Sequence, residues 1–232
     1  MQSIVETILP RYCYGCGNLL IRGEKILCLG CSMELDSLAS SFYLRDYTQI
    51  KYSNRSTANE IAFFRYSHNG CISSLVRKLK YNEDIILGNY IVDSFISSLH
   101  HHNWIKDIDY IIPLPLHLLR RSSRGYNQSE IIAKRIGKEF GIKVASRLII
   151  RKKYTRSQAS ISYKKKHRLE RLIKSNRGIF YATRPSKLKN KHILIIDDVI
   201  TTGYTINNCI DSVRNIPGIK ISLLFLTNSK DV

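Results

Sequence analysis

Ile193-Leu194-Ile195-Ile196-Asp197-Asp198-Val199-Ile200-Thr201-Thr202-Gly203-Tyr204-Thr205 decides the fold. Four consecutive aliphatic residues, Ile193 to Ile196, read as a strand buried on both faces, as in a parallel sheet. Two carboxylates follow, then Thr-Thr-Gly-x-Thr, then a helical pattern from Thr205 to Asn215. Ligands of open parallel sheets bind at the carboxyl ends of strands, where this loop must lie. Gly203 lets the backbone approach an anion, and the helix behind it offers free N–H groups and the positive end of its dipole. Thr201, Thr202 and Thr205 add hydroxyl donors. The loop has no lysine of the nucleoside triphosphatase type, so a triphosphate fits it poorly. Adjacent carboxylates such as Asp197 and Asp198 are costly unless they meet hydroxyls, a metal or a developing cation. The 2′- and 3′-hydroxyls of a ribose whose 5′-phosphate sits in the loop would satisfy them. The plainer alternative is that the two acids cap the loop and the helix start.

Outward from this stretch, strands and helices alternate, which implies an α/β domain with a parallel sheet. Ile61–Tyr66, Tyr110–Ile112, Val144–Ile150, Ile179–Thr183 and Ile219–Thr227 read as strands. Helical spacing appears over Ile72–Leu79, Ile85–Leu99 and Ser129–Phe140, the last closed by Gly141. Residues 1–9 read as a short helix stopped by Pro10, and the polar stretch 41–60 as a linker. The expected organisation is a cysteine module in 1–40, a linker in 41–60 and the α/β domain in 61–232.

Cys13-x2-Cys16 and Cys28-x2-Cys31 are separated by eleven residues, each pair on a glycine-flanked turn. Two such turns bring four thiolates around one tetrahedral zinc. Two disulfides are the alternative, disfavoured in a reducing compartment. All four ligand places are filled by the protein, so the expected role is folding rather than catalysis. Cys71 and Cys209 lie in apolar helical contexts and read as small buried residues. His100-His101-His102 reads as a solvated helix end favoured by the helix dipole.

Net charge is +19, and residues 143–191 hold 17 of the 37 Lys and Arg but one acid, Glu170. Such a field attracts nucleic acid or phosphorylated substrates, although a solvated loop is the bland reading. Lys152, Lys153, Lys164, Lys165, Lys166 and Arg168, interleaved with Tyr154, Tyr163, Phe180 and Tyr181, suit single-stranded DNA through phosphate contacts and stacking. No run approaches the ~20 apolar residues that span a bilayer, and Met1–Pro10 lacks a secretory pattern. The expectation is a cytoplasmic protein without membrane insertion.

The stretch 193–205 resembles the motif of type I phosphoribosyltransferases. A second constellation, Ile112-Pro113-Leu114-Pro115-Leu116-His117, Arg120-Arg121 and Arg124-Gly125-Tyr126-Asn127-Gln128-Ser129-Glu130, looks like the hallmark of the ComF family. The four cysteines, Lys80-Tyr81 and Thr155-x-x-Gln158 follow that family's order, so the resemblance covers nearly the whole chain. It implies a type I phosphoribosyltransferase fold with an N-terminal zinc ribbon, binding phosphoribosyl pyrophosphate with Mg²⁺. It places the ribose diol on Asp197 and Asp198, the catalytic candidates, and the 5′-phosphate on Thr201, Thr202, Gly203, Tyr204 and Thr205. Tyr204 departs from the smaller residue common in the family. The pyrophosphate falls to Pro115, Leu116, Arg120, Arg121 and Arg124, with Lys80. Arg156 and Gln158 lie in the loop that closes over the sugar, and Arg156 with Lys152 would neutralise the leaving group.

For function, the resemblance implies DNA uptake in natural transformation, with single-stranded DNA and the DNA-uptake helicase machinery as partners. An enzyme would displace pyrophosphate from ribose C1, and no residue identifies the acceptor. Met1 is followed by Gln2, so no N-terminal glutaminase cysteine supplies ammonia. The alternative is a single-stranded DNA-binding competence factor whose phosphoribosyl site is regulatory; an inert α/β fold beside a zinc module is a third reading, opposed by the acidic pair.

Overall fold

The computed structural model describes residues 10–40, 57–65, 70–81, 84–153, 178–201 and 203–228, without the side chains of 38–40, 65, 120, 123 and 124. Among them are helices α1 (Leu29–Ser40), α2 (Cys71–Tyr81), α3 (Ile85–His100), α4 (Leu118–Arg124), α5 (Gln128–Phe140) and α6 (Tyr204–Asp211). The strands are β1 (Thr57–Arg65), β2 (Tyr110–Pro113), β3 (Lys143–Val144), β4 (Ile149–Arg151), β5 (Phe180–Ala182), β6 (His192–Ile200) and β7 (Lys220–Asn228). The expected helix in 1–9 and nearly all of the basic segment 151–177 lie outside the described residues.

Five strands form one sheet in the order β1-β7-β6-β2-β3, and every pairing is parallel. β4 and β5 form a separate antiparallel pair, with Arg151 opposite Phe180. The central strand β6 separates two apolar layers. Leu194 and Ile196 join a layer with Ile111, Leu224, Leu226 and helices α2, α3 and α5. Ile193 and Ile195 join another with Ile112, Leu223, Phe225 and α6. Burial on both faces is why the strand reads as an unbroken aliphatic run.

Several elements differ from the sequence expectation. β1 starts at Thr57, within the stretch read as a polar linker, because its partner is the long strand β7 and the ladder begins at Thr57 and Ile221. The single strand expected over Val144–Ile150 is two short strands in different sheets, divided by a turn in which Leu148 N donates to Ala145 O at 3.2 Å. Helix α4 was not expected. His117 caps it, its ring accepting from Leu119 N at 3.2 Å. β6 runs through Asp197 and Asp198 to Ile200, so the acids lie in the strand rather than after it.

Helix starts are fixed by local chemistry. Asp84 accepts from Leu87 N at 2.8 Å at the start of α3, and Asn127 accepts from Ser129 N at 3.1 Å at the start of α5. Gly141 takes the left-handed conformation that closes α5. α3 and α5 pack closely at Gly88, where a methyl group would come within 2.5 Å of Ile131 Cγ2. Arg135 of α5 reaches Asp93 of α3 at 2.7 Å. The His100–His102 run ends α3, with His100 held at 3.2 Å by Glu139. Cys71 and Cys209 are buried, as their contexts suggest. No helix among the described residues is long and apolar enough to cross a membrane.

Candidate functional site

The carboxyl end of β6 gathers side chains from three elements, β6 itself, α2 and α5. Asp197 Oδ1 accepts from Ser129 Oγ at 3.1 Å and from Asp198 N at 2.9 Å. Asp198 is buried, its Oδ1 accepting from Val199 N at 2.9 Å and its Oδ2 lying 3.0 Å from Lys80 Nζ. Lys80 comes from the last turn of α2, and Ser129 from the first turn of α5. Burial, then the neighbouring Asp198 carboxylate, push Asp197 up to about 8, against the opposing pull of the Asp198 N–H, Lys80 and Ser129. At neutral pH Asp197 therefore largely holds its proton until a cation or ligand draws it off.

Beyond β6, Gly203 adopts φ 73°, which a side-chain-bearing residue seldom takes, and starts α6. The cap residue of this helix, Gly203, has no side chain to bond the first-turn amides. Those amides thus form an anion-seeking end that begins six residues after Asp198. Thr201 is exposed, Tyr204 and Thr205 are half-buried, and Thr202 lies outside the described residues.

The segment after β2 folds against this end. Leu114 N donates to Ile196 O at 2.8 Å, and Asn127 Nδ2 donates to Leu114 O at 3.0 Å, so Pro115 and Leu116 are clasped beside β6. Tyr126 donates its hydroxyl to Leu79 O, bracing α2 next to Lys80. Ser129, Tyr126 and Asn127 are the residues sequence reasoning quoted without assigning a task; the Asn127 cap, two places before Ser129, was the available signal. Arg121 is exposed and sits 3.5 Å from Glu130. The side chains of Arg120 and Arg124 are outside the described set, as are residues Arg156, Gln158, Lys164, Lys165, Lys166 and Arg168. Lys152 and Lys153 are exposed, and the Lys152 ammonium stands 4.7 Å from the Tyr181 ring centroid. His117 meets Lys152 O at 3.2 Å, joining the segment after β2 to the edge of the basic stretch.

The four cysteines form a second centre. The sulfurs of Cys13, Cys16, Cys28 and Cys31 all lie within 4.8 Å of one another. Cys16 and Cys28 are 3.7 Å apart, too far for a disulfide and close to the ~3.8 Å edge of a tetrahedron with ~2.3 Å metal–sulfur bonds. Burial raises the Cys13 thiol, but the backbone N–H groups of Cys28, Cys16 and Gly15 outweigh it and bring the group down to about 6. The donor set fits a soft, tetrahedral cation such as zinc. The module packs on the α/β body through Leu35, buried in one layer with Leu75 and Phe95.

Comparison with known proteins agrees with this picture. The model of the family described as "Phosphoribosyl transferase domain" matches residues 120–230. "Competence protein F" of Haemophilus influenzae is 29% identical over 103 residues, covering 44% of this chain and 43% of its own length. "DNA utilization protein YhgH" of Escherichia coli O6:H1 is 26% identical over 139 residues, covering 58% and 57%. The protein of that name in Salmonella typhi is 32% identical over 99 residues, covering 42% and 40%. The chain thus spans about half the length of the curated relatives it matches. Among solved structures, the adenine phosphoribosyltransferase of Leishmania tarentolae shares 14% identity over 70% of this chain and 76% of that one, with a TM-score of 0.38. The sheet, its flanking helices and the family match make the α/β body a type I phosphoribosyltransferase fold.

Proposed function

Given that this chain is a ComF-family, phosphoribosyltransferase-like protein, we propose that it binds phosphoribosyl pyrophosphate with Mg²⁺ at the end of β6, in the service of DNA uptake. One observation carries the reading: two carboxylates, one pushed up by burial, lie next to a helix start whose cap residue is the left-handed Gly203. A ribose supplies hydroxyl donors to the first and a 5′-phosphate to the second. Thr201, Thr202, Gly203, Tyr204 and Thr205 hold the phosphate. Pro115 and Leu116 line the pyrophosphate, with Arg120, Arg121, Arg124 and Lys80 supplying charge. Arg156 and Gln158 close over the sugar. Bound with the substrate, Mg²⁺ would share the negative charge of the leaving diphosphate with Arg120, Arg121 and Arg124.

The reaction such a site supports breaks the bond from C1 to the pyrophosphate oxygen, forms a bond from C1 to an acceptor, and sends the acceptor's proton to solvent. Asp197 and Asp198 then face a sugar with oxocarbenium character. Phosphoribosyl pyrophosphate at a hundred times its Kd should stabilise the protein by about 2.7 kcal/mol, a rise in Tm of several degrees that requires Mg²⁺. A wild-type protein whose melting ignores the ligand up to millimolar concentration would sink the reading.

A second activity is favoured by the basic run in 143–191 and by the relatives' names. Single-stranded DNA is held there by Lys152, Lys153, Lys164, Lys165, Lys166 and Arg168, handed on by a DNA-uptake helicase. The exposed Lys152 on the Tyr181 ring shows the pairing of cation and aromatic that base stacking uses. In this reading the phosphoribosyl site regulates DNA handling. Affinity for an oligonucleotide should fall steeply with salt, and reversing charge at Lys164, Lys165 and Lys166 should weaken it at least about tenfold at low salt. Unchanged affinity in that variant would remove the segment from the interface.

A further inference from the structure

Helix α2 delivers Lys80 to Asp198, yet its ends are held by the cysteine module rather than by the sheet alone. At its start, Glu34 Oε1 of α1 accepts from Cys71 N at 2.9 Å, placing a carboxylate on the positive end of the helix. Near its other end stands Tyr14, which lies between the metal-ligand candidates Cys13 and Cys16. Lys78 Nζ is 4.8 Å from the Tyr14 ring centroid. The Tyr14 hydroxyl lies near the carboxylate of Asp84, the residue that caps α3, and that carboxylate pushes the phenol up. Tyr14 N donates to Ile26 O at 3.0 Å, so its backbone is fixed between the two cysteine turns. One side chain, set by the knuckle, therefore meets α2 two residues before Lys80 and lies near the cap of α3 four residues after it.

We propose that Tyr14 is a positioning residue: placed by the metal-bound knuckle, it holds the carboxyl-terminal end of α2 so that Lys80 meets Asp198, and the four-cysteine centre thereby tunes the acidic pair at the end of β6. The ligand arm of its test rests on the sugar-phosphate reading above; the backbone arm does not. By linkage, a sugar phosphate that depends on Lys80 also tightens the metal. The competing brace is Tyr126, whose hydroxyl bonds Leu79 O from α5. If that brace sufficed, Tyr14 would be dispensable.

The test uses the full chain, zinc-loaded, with zinc content measured in every variant. Tyr14→Ala should keep one zinc per chain, speed amide exchange over residues 76–81 about tenfold, and weaken Mg²⁺–phosphoribosyl pyrophosphate about tenfold. In a Lys80→Met background the same change should cost less than about twofold in affinity, because both act through one contact. Unchanged exchange over 76–81 with zinc retained overturns the proposal, as do losses that simply add. Should Tyr14→Ala lose zinc, Lys78→Ala decides by the same readouts, since it removes the contact with the Tyr14 ring and leaves the knuckle untouched. A wild type that binds no phosphoribosyl pyrophosphate defeats the sugar-phosphate reading alone, and the exchange arm still decides this one.

Discussion

Asp197→Asn should make the ligand-free protein more stable while removing its response to phosphoribosyl pyrophosphate. The two acids are adjacent, and burial together with Asp198 pushes Asp197 up to about 8. An unfolded aspartate titrates near 3.8. Between those values the folded state binds more protons than the unfolded one, so stability falls as pH rises. The favourable contribution is complete below about pH 4, is lost progressively through neutrality, and is gone above about pH 8, with a limiting slope of about 1.4 kcal/mol per pH unit. Asparagine keeps an oxygen for Ser129 Oγ and Asp198 N and carries no charge. The gain near pH 7.5 should be about 1–3 kcal/mol, or several degrees in Tm for a chain of this size. At pH 5 the gain should shrink to little. The same variant cannot give up a proton on binding and so never offers the carboxylate that accepts ribose hydroxyls in the complex, a loss of about 10- to 100-fold in affinity. Melting curves from pH 5 to 8.5, with and without Mg²⁺ and ligand, check both halves. A variant less stable than wild type at every pH would refute the account of the acidic pair.

Gly15→Ala should strip the cysteine centre of its metal. A methyl group on Gly15 would lie 2.6 Å from Cys31 Sγ and 2.7 Å from Cys71 Sγ. Carbon and sulfur need roughly 1 Å more than that, and neither sulfur can retreat: one is a ligand candidate and the other is buried at the start of α2. Structural zinc contributes about 10 kcal/mol or more to the folding of small cysteine modules. Even partial distortion should therefore cost at least about a hundredfold in zinc affinity, read by competition with a chromophoric chelator. Residues 10–31 should lose amide protection in step with the metal. Cys71→Ala added to Gly15→Ala removes one of the two collisions and should restore part of the affinity. Wild-type zinc content and affinity in Gly15→Ala would contradict the close approach.

The parallel sheet was legible because Ile193–Ile196 is aliphatic without alternation, and a strand buried on both faces leaves that trace. The anion end was legible because its parts are contiguous: strand, acids, glycine and helix occupy thirteen residues. Helix α4 was not, because its described side chains, Leu118, Leu119, Arg121 and Ser122, are all exposed and leave no apolar stripe to read. The Val144–Ile150 run hid a turn because only Ser146 and Arg147 interrupt its apolar residues, and the chain turns there. Least visible was what lies across long separations. Nothing local to Lys80 names Asp198, 118 residues on, as its partner, and nothing near Tyr14 names Lys78. Such contacts are products of topology, and a periodic pattern carries no trace of them.

The strand order also constrains synthesis. β1 lies at the sheet edge and pairs with β7 alone, so the earliest and latest strands of the sheet are neighbours. Phe63 and Phe64 of β1 pack with Phe95, with ring centroids 3.8 and 5.9 Å away, but the backbone of β1 has no ladder until residues 220–228 leave the ribosome. For most of translation the nascent chain carries an open, aromatic edge. The body can close only when its last strand arrives, which makes the growing polypeptide dependent on whatever shields that edge until then.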